Sequence, residues 1–524
     1  MATTSQLDFA GDYHLPYIHL INHMGEGVES ATHGENIVHL MVEFNIYESI
    51  FDSSVTGSIV IVDTQNLISK LPIQGTERLS FKLTTKLENE TEDTIIDCLE
   101  SHGKEMHVYA VTDKSQLNDQ TLTYTIHFAS REFVRNLRTR VSESLSGRMD
   151  QMVNKIFTDE NYLDSHKTLN FQQTRNADKI VIPNLNPFSA IRMICKRSLP
   201  EIQSSKGVGY LFYETTKGFH FRSWESLCVD KGGHERESIQ SFRYVQGNMQ
   251  LEQDMLDGRK GERTVSDRIT QNYKNVREYK FTNNFHDVAA NTAMGTYGHR
   301  VITHNIYNKS YKVDDYHYHN RWNDSKHLEK YPAIVDSPVD YDPKENSQYG
   351  QKGVSDFPES RVSLQSTAPY INSDKNTGNF GTPVEDDGVL EGARLAQVNK
   401  IMQGTQLEMT VNGQSRLQAG DMIQFDLQSV ENKENSRGLL DPQYSGRYII
   451  TSIRHRVAQD RFLQVLTCVK DSSKSGYGYS YGKSFTEISG GTDNKTPKTI
   501  SIDDHHNQPK DKSPYKEGDW YPGA

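Results

Sequence analysis

The sequence lacks paired cysteines. Its 524 residues contain only four, Cys98, Cys195, Cys228 and Cys468, and they form no C-x-x-C motif. That absence excludes zinc fingers and thioredoxin-like redox sites. Buried free thiols are the simpler interpretation, and they suit a protein that assembles in a reducing cytoplasm.

Long apolar runs and an excess of positive charge are also missing. No run approaches the roughly 18 apolar residues that cross a bilayer, and the N-terminus lacks the basic start and apolar core of a signal peptide. The formal net charge is −11, whereas nucleic-acid binding depends mainly on Lys and Arg that neutralise phosphates. We therefore expect a soluble protein without a nucleic-acid-binding surface.

The chain is rich in tyrosine and phenylalanine, with 27 and 20 residues respectively. Both residue types favour strands and interfaces. The length exceeds what one hydrophobic core normally supports, so two to four domains are expected. Only 35% of the residues are hydrophobic, which favours an oligomer that buries apolar surface between its subunits.

A first β-barrel domain is predicted over residues 36–130, after an N-terminal arm or irregular first strand over 1–35. Alternating apolar residues at 40–46 and 122–128 have the period of half-buried strands. Together with strands near 55–62, 79–83 and 106–111, they make five or six antiparallel strands in about 95 residues. That spacing is typical of a small barrel or closed sheet.

An α+β domain is predicted over residues 131–235, because the period becomes helical after Ser130. Leu145, Met149, Val153, Ile156 and Phe157 recur at helical spacing. A second helix is expected to begin at Asn186-Pro187, since Asn caps helices and Pro suits the first turn. Two strands, 209–215 and 218–224, follow as a hairpin.

The remaining chain divides into a second β-barrel domain with associated elements, a long loop insertion and a tail. The second barrel takes residues 236–310 and 390–472, including a short helix at 284–293, a strand at 297–308 and a helix near 389–402. Four strands then follow at 407–411, 423–427, 449–457 and 463–469. Residues 311–389 show little periodicity and are predicted to be a loop, and the polar residues 473–524 an extended C-terminal tail.

Two short stretches have similar counterparts later in the chain. Residues 79–83 follow Gly75 much as residues 423–427 follow Gly420, and residues 56–61 resemble residues 445–450. The two pairs occur in opposite order along the chain. Duplication and chance similarity between strands therefore both remain open.

Histidines are the first candidates for chemistry. His317 and His319 flank Tyr318, and His299, His304 and His327 lie nearby in sequence. Their spacing matches no metal site, and their neighbours are Tyr, Asp and Asn. A solvated surface or an interface is the better interpretation, so no metal ligand is predicted.

The acidic pairs are equally weak candidates for catalysis. Asp314-Asp315, Asp386-Asp387 and Asp503-Asp504 lie in polar stretches, whereas a glycosidase needs one carboxyl group kept protonated in an apolar site. The sequence also lacks G-x-S-x-G, H-E-x-x-H, Walker A and strand-linked G-x-G-x-x-G motifs. We therefore predict no enzyme activity, no catalytic, cofactor-binding or metal residues, and no cofactor.

The stretch 47–83 carries a family resemblance. Its order, "YE-x-IF", "TG-x-I-x-I-x-D" and "NL-x3-LPI-x-G-x-E-x-L-x-F", resembles the first barrel domain of bacteriophage tail baseplate hub proteins of contractile-tailed phages. The matching residues are Tyr47, Glu48, Ile50, Phe51, Thr56, Gly57, Asp63, Asn66, Leu67, Leu71, Pro72, Ile73, Gly75, Glu77, Leu79 and Phe81. Further similar segments at 209–227, 295–311, 406–429, 445–457 and 465–472 extend the resemblance to roughly residues 37–310 and 390–472.

The resemblance implies a mainly β, α+β fold with two small antiparallel, tail-tube-like barrels and an α+β domain between them. It also implies a structural virion protein whose homotrimer adapts a sixfold tail tube to a threefold central spike. The tube protein would lie above it, the spike below it, and baseplate wedge proteins and the tape measure protein around it. DNA would pass through the lumen without specific binding. The implied location is the tail baseplate, assembled in the host cytoplasm.

Two alternatives stay open from the sequence. A tail-associated peptidoglycan hydrolase would need an added acid-base domain, and residues 311–389 have too few periodic apolar residues for one. A spike protein of a type VI-like contractile injection system would need a β-helix after the barrels. The chain instead ends in about 50 polar residues.

Overall fold

The computed structural model shows a mainly β protein. It describes residues 10–22, 35–70, 73–85, 95–202, 205–244, 271–283, 285, 287–305, 309–334, 353–366, 387–428, 440–441, 443–458 and 461–474. Within these ranges, no helix has the length and apolar character needed to cross a membrane. The division into domains predicted above remains a prediction, and the elements are described below in chain order.

The first β unit packs its strands around one apolar core. Three phenylalanine rings, of Phe44, Phe81 and Phe128, meet at its centre with centroids 5.0–6.1 Å apart. Its elements are β1 (Tyr13–His14), β2 (Ile18–Ile21), β3 (Glu35–Asn36), β4 (Met41–Ser49), β5 (Thr56–Asp63), α1 (Leu67–Lys70), β6 (Arg78–Thr85), β7 (Ile95–Cys98), β8 (Met106–Asn118) and β9 (Thr121–Ser130).

The N-terminal residues belong to this unit. Strands β1 and β2 both pair with β6, and Ile18 and Leu20 are fully buried. Of the two predictions for residues 1–35, the irregular first strand therefore describes residues 13–21 better than the arm. Residues 1–9 and 23–34 lie outside the described residues.

An α+β domain follows, with four helices and short sheets. Its elements are α2 (Arg131–Arg138), β10 (Ser144–Arg148), α3 (Met149–Thr158), β11 (Leu169–Phe171), β12 (Ala177–Val181), α4 (Pro187–Cys195), β13 (Tyr210–Thr215), β14 (Gly218–Ser223) and α5 (Trp224–Cys228). The predicted cap is confirmed, because Asn186 accepts a hydrogen bond from the Ser189 amide at 2.9 Å. The predicted hairpin is β13–β14.

The prediction of continuous helical spacing from Leu145 to Phe157 is wrong at its start. Leu145 lies in strand β10 and pairs with Ile180 of β12, and the helix begins only at Met149. Gly147 has a φ of +127°, a backbone conformation that no α-helix contains. The apolar residues keep helical spacing across the change from strand β10 to helix α3. Periodicity alone does not reveal such a change.

The rest of the described chain supplies a second β unit and an insertion. Its elements are β15 (Gln240–Tyr244), β16 (Asn275–Asn283), α6 (Val288–Met294), β17 (Gly298–Asn305), β18 (Ser310–His317), β19 (Tyr331–Pro332), β20 (Val362–Ser366), α7 (Asp387–Gln403), β21 (Thr405–Asn412), β22 (Met422–Asp426), β23 (Gly446–Ala458), β24 (Phe462–Lys470) and β25 (Ser472–Ser473). The helix and four strands predicted from residue 389 onward are confirmed as α7 and β21–β24.

The second β unit is a closed barrel of six strands. Its circuit runs β22-β15-β16-β21-β24-β23, and β23 pairs back onto β22. The first unit is linked to the same hydrogen-bonded sheet through a β23–β4 pair. The amide of Phe462 in β24 also donates to the Gly11 carbonyl at 3.0 Å. The predicted fold class, mainly β with barrel units flanking an α+β domain, is confirmed.

The two units share one topology. Neighbouring strands in the first unit run β4-β5-β9-β8-β6, and those in the second run β16-β21-β24-β23-β22. When these five strands of each unit are numbered along the chain, both orders are 1-2-5-4-3, and every pair within them is antiparallel. Strands β1–β3 and β7 of the first unit, and β15 of the second, lie outside this shared set, and β15 pairs in parallel with β16 and β22. The structure therefore favours duplication over chance similarity.

Only one of the two sequence similarities follows this correspondence. Gly75 and Gly420 precede the equivalent strands β6 and β22, and their φ angles are +93° and +90°. Gly57 lies in the second strand of its unit, whereas Gly446 begins the fourth strand of the other. The similarity between residues 56–61 and 445–450 is therefore between non-equivalent strands.

The loop predicted over residues 311–389 is wrong for its described parts. Strands β18 and β20 pair with β17 in a three-stranded sheet, and helix α7 packs on that sheet. Tyr297, Tyr318 and Trp322 form a buried aromatic core beside it. Five of its eight buried residues are aromatic and three of these are tyrosines with polar tips, so a search for aliphatic periodicity misses it. The insertion, residues 287–403, lies between strands β16 and β21.

The matched glycines give a test of local packing. We expect Gly75→Ala to cost about 1–2 kcal/mol of stability, because its φ is in the left-handed region while its nearest contact stays at 3.6 Å. Gly420→Ala has the same strain, and its Cβ would lie 2.4 Å from Tyr213 Oη. Denaturant unfolding should therefore show a larger loss for Gly420→Ala. Equal losses would contradict the crowding at Gly420.

Candidate functional site

Strand β23 joins the two β units. Gly446–Ile449 of β23 pair with Phe425–Met422 of β22, and Ser452–Ala458 then pair with Ser49–Glu43 of β4. Two ion pairs cross this second segment: Arg454 and Arg456 each lie within 2.9 Å of Glu43. One strand thus belongs to two units, and it fixes their relative position through backbone hydrogen bonds.

Glu48 lies at the point where this joint meets the α+β domain. Its side chain is fully buried. Its Oε1 accepts a hydrogen bond from the Thr216 amide at 2.9 Å, and its Oε2 accepts one from the Ala419 amide at 3.1 Å. Glu48 belongs to β4, Thr216 to the β13–β14 turn and Ala419 to the turn before β22. One carboxylate therefore links all three parts of the chain.

His455 of β23 completes the group that we call the three-way joint: Glu48, Thr216, Ala419 and His455. His455 Nε2 lies 3.4 Å from Glu48 Oε1. On the other side of the ring, Gln464 Nε2 donates to His455 Nδ1 at 3.0 Å, and Gln464 is itself oriented by the backbone of Gln414. Because Nδ1 accepts, Nε2 is the ring nitrogen that carries a proton, and it faces Glu48.

The joint holds Glu48 as a carboxylate. Burial acts to raise its pKa, but His455 and the amides of Thr216 and Ala419 outweigh burial, and the net pKa is lowered. Nearby Asp421 responds differently, because burial raises its pKa to about 6. Desolvation also lowers the pKa of His220, on the adjacent hairpin, to about 4.

A second buried ionic group fastens the α+β domain to the first unit. Lys167 Nζ lies 2.9 Å from Glu132 and 2.7 Å from Glu214, and both carboxylates are almost fully buried. The other oxygen of Glu214 accepts from the Val55 amide at 2.9 Å, directly before β5. Burial acts to lower the pKa of Lys167, but the two carboxylates raise it overall. Sequence reasoning missed this group, since its members are far apart along the chain.

The residues of the stretch 47–83 shape turns and close packing in the first β unit. Asp63 accepts hydrogen bonds from the amides of Gln65 and Ile68 at the turn after β5. Glu77 accepts three amide hydrogen bonds in the turn around Gly75. A Cβ at Gly57 would lie 2.1 Å from Phe128 Cζ, so only glycine fits under that ring. Leu71 and Pro72 lie outside the described residues.

The candidate histidines each have their own polar contacts, although His317 and His319 both contact Ser355. Buried His299 places its two ring nitrogens 2.9 Å from the Gly295 carbonyl and 3.1 Å from the Gly392 carbonyl. His317 contacts the Ser355 carbonyl, His319 the Ile334 carbonyl, and His327 stacks on Trp322 beside Asp471. Across the described ranges, no three His, Cys, Asp or Glu side chains group as metal ligands.

The acidic pairs and cysteines show no catalytic arrangement in the described residues. Asp314 and Asp315 form ion pairs with Lys312 and Arg300 respectively. The side chains of Asp386, Asp387, Asp503 and Asp504 lie outside the described part of the chain. The prediction of buried free thiols is confirmed for all four cysteines, and burial raises the pKa of Cys98 and Cys195 to about 12.

No protein-family model and no curated protein matches the sequence. Among solved structures, the chain is similar to the tail protein from Neisseria meningitidis MC58, at 8% identity and a TM-score of 0.42, over 88% of this chain and 97% of that one. It is also similar to the 43 kDa tail protein of prophage MuSo2 from Shewanella oneidensis, at 9% identity and 0.42, over 87% and 99%.

A third similar structure is a component of the type VI secretion system of E. coli, at 10% identity and a TM-score of 0.33, over 83% of this chain and 75% of that one. That component is described as structurally similar to the T4 bacteriophage tail proteins gp27 and gp5. Phage tail proteins and type VI secretion components are thus both among the structures to which this chain is similar.

The three-way joint predicts a pH dependence. Because the folded pKa of Glu48 is lowered from 4.5, its contribution to stability is full above that value and is lost as the pH falls through the folded pKa. We expect Glu48→Gln to be less stable than wild type at pH 7, and the difference to shrink below pH 4.5. Urea unfolding at several pH values measures it. A difference that grows on acidification would contradict the assignment.

The buried ionic group predicts a contrast between two lysines. Lys167→Met would leave Glu132 and Glu214 buried without a cation, which should cost about 3–5 kcal/mol. Lys155→Met removes an ion pair to Glu143 whose lysine side chain is 47% exposed, so the cost should stay below about 1 kcal/mol. Thermal unfolding of both variants compares them, and equal losses would show that burial of the group is not the cause.

Proposed function

We propose that the chain is a structural component of a phage tail baseplate, a hub protein whose copies close into a trimeric ring. The observation that carries this proposal is the duplicated topology of the two β units. One chain that presents two similar barrels gives six similar barrels in a trimer. Such a ring offers a sixfold tail tube six similar surfaces while keeping threefold symmetry toward a spike.

The joint inside the chain suggests how copies meet. Strand β23 has 13 residues; its first part pairs with β22, and its second part pairs with β4 on the same edge. The equivalent strand of the first unit, β8, also has 13 residues. It pairs with β6 only at Met106 and His107, and Thr112–Asn118 are exposed. In the described residues, the second part of β8 has no strand partner on this edge.

The complementary edge lies in the other unit. Strand β16 is the equivalent of β4, and both have nine residues. On the edge away from β21, β16 pairs only at Asn275 and Val276, with β15. Within the described chain, the remainder of that edge is unpaired. The free part of β8 and the free part of β16 therefore correspond to the two strands of the internal joint.

We infer that β8 of one copy pairs with β16 of the next, as β23 pairs with β4 within a copy. The two contacting surfaces differ, so the interface is heterologous and closes a ring when the rotation allows it. Around the ring, β23–β4 joints within copies would then alternate with similar β8–β16 joints between copies. The number of copies, three, comes from the sequence resemblance. The β8 and β16 edges are the surfaces through which these copies would contact one another.

This assignment is structural rather than enzymatic. The buried ionic groups bridge domains instead of facing a shared cleft, and their carboxylates are occupied by amides, His455 or Lys167. The net charge of −11 suits a channel through which DNA passes without sticking. The tube protein, spike and tape measure protein are the proposed partners in the virion.

The ring can be tested at the β8 edge. Native mass spectrometry of the full chain should show a trimer. Leu117, in β8, is 63% exposed, and Leu117→Asp should weaken assembly at least tenfold because it places a charge in the new interface. The matched control is Leu137→Asp, since Leu137 is 60% exposed but lies on helix α2. Circular dichroism should show both variants folded.

Two results would contradict the proposal. A wild-type chain that stays monomeric at high concentration would oppose the ring. A trimer that survives Leu117→Asp would show that the contact between copies does not involve this part of β8, and loss of the trimer in Leu137→Asp would place the contact near helix α2 instead.

A further inference from the structure

A cavity of about 100 Å³ lies where the α+β domain, strand β18 and helix α7 meet. Its apolar wall is formed by Val208, Trp224, Tyr316, Ala393 and Ala396. A single water needs only roughly 10–15 Å³ measured in this way, so the cavity has room for a small organic molecule. Apolar walls with a few polar groups are typical of ligand sites.

One wall of the cavity carries a buried ammonium group. Lys400 of helix α7 is only 5% exposed, and its Nζ donates to Ser325 Oγ at 3.0 Å. The same Nζ lies 5.9 Å from the Tyr318 ring centre and 5.8 Å from that of Trp322. None of the ion pairs among the described residues includes Lys400. An ammonium has three donors, so two are left for a ligand.

Trp224 provides a second donor in the same cavity. Its side chain is 2% exposed, and its indole Nε1–H is buried without a hydrogen-bond acceptor in the described structure. Buried indole N–H groups normally have a partner. An acceptor held between the Lys400 ammonium and the Trp224 indole would satisfy both.

The acidic residues around the cavity have polar partners, although Asp314 Oδ2 is buried without a hydrogen bond in the described structure. Asp324 lies 2.9 Å from Lys206 and 3.1 Å from Arg321, and Asp315 lies 2.7 Å from Arg300. Asp314, at 3.4 Å, pairs with Lys312. Glu225 accepts from the Lys326 amide at 2.9 Å and from Ser205, and burial raises its pKa toward the neutral form. Buried Asp471 is the acidic group that acts most strongly on Lys400, but its carboxylate lies 3.0 Å from His327. Among the described residues, no carboxylate therefore lies within ion-pair distance of the Lys400 ammonium.

We propose that this cavity binds a small organic carboxylate, whose oxygens accept hydrogen bonds from Lys400 and Trp224 and whose apolar part packs against the α7 and Tyr316 walls. The charge selects an anion, and the apolar wall selects one with a short hydrocarbon body. The site does not depend on ring formation, because every residue in it belongs to one chain. The proposal gives a binding function to the insertion, residues 287–403, which the barrel topology does not require.

Butyrate is the probe that tests the site. Saturation-transfer NMR and calorimetry with the full chain should show saturable butyrate binding. Butanol, butylamine and inorganic phosphate each lack one of the two features, and each should bind at least about tenfold more weakly. Equal binding of butanol would overturn the role of Lys400, and equal binding of phosphate would overturn the role of the apolar wall. No butyrate binding at millimolar concentration would overturn the site.

Two variants test the ammonium charge and the cavity volume separately. Lys400→Met should weaken butyrate binding at least about tenfold, the factor that corresponds to losing one charged hydrogen bond. Ala393→Leu should weaken it similarly by filling the cavity while the ammonium stays. The matched control is Lys330→Met, because Lys330 also lies over an aromatic ring, 5.4 Å from the Tyr331 centre, but is exposed and outside the cavity.

Two further measurements test the proposal if Lys400→Met does not fold: butyrate binding by Ala393→Leu, and the pH dependence of binding by the wild type. Ala393→Leu alone must weaken butyrate binding at least about tenfold, and unchanged binding in that variant would overturn the proposal. Binding to wild type must also fall with rising pH as Lys400 loses its proton. Since burial lowers the pKa of Lys400, the fall should occur below the ordinary lysine pKa of about 10.4. Butyrate binding that does not change up to that pH would also overturn it.

Discussion

The structure depends on one buried carboxylate. Glu48 is removed from water, and the groups that compensate it come from three separate parts of the chain. If any part moved away, a buried charge would lose its partner, which is among the most costly changes in a protein interior. The three parts are therefore held in one arrangement, which keeps β23 beside β4.

Duplication explains why the two β units can share a sheet. Strand β23 continues past its own barrel and pairs with the first strand of the other unit. The same strand in the first unit, β8, is equally long but leaves its second part exposed. The internal joint thus provides a structural precedent for the proposed joint between copies.

Much of the fold follows from local sequence patterns. Alternation at residues 122–128 and 423–427 predicted strands, and Asn186-Pro187 predicted a helix start, because these signals act within a few residues. Leu145 was misassigned since helical spacing can continue by chance across a chain reversal. The aromatic core around Tyr318 was missed because tyrosine is polar at its tip.

The long-range contacts could not be predicted in the same way. Glu48 appeared in the sequence only as part of a pattern, and Lys167 and Glu214 gave no signal, since their partners are distant along the chain. The glycine similarities show the same limit. Gly75 and Gly420 are equivalent because the backbone conformation before β6 and β22 demands glycine, whereas Gly57 and Gly446 share only their neighbours' sequence.

The insertion between β16 and β21 has a consequence for any closed assembly of copies. In the first unit the equivalent connection, from β4 to β5, is a short turn, whereas in the second it carries a sheet, two helices and an aromatic core. Alternate positions around a ring of six units would therefore be marked by a bulky appendage. Such a ring would keep three distinguishable sectors at its rim, even where its barrels are nearly interchangeable.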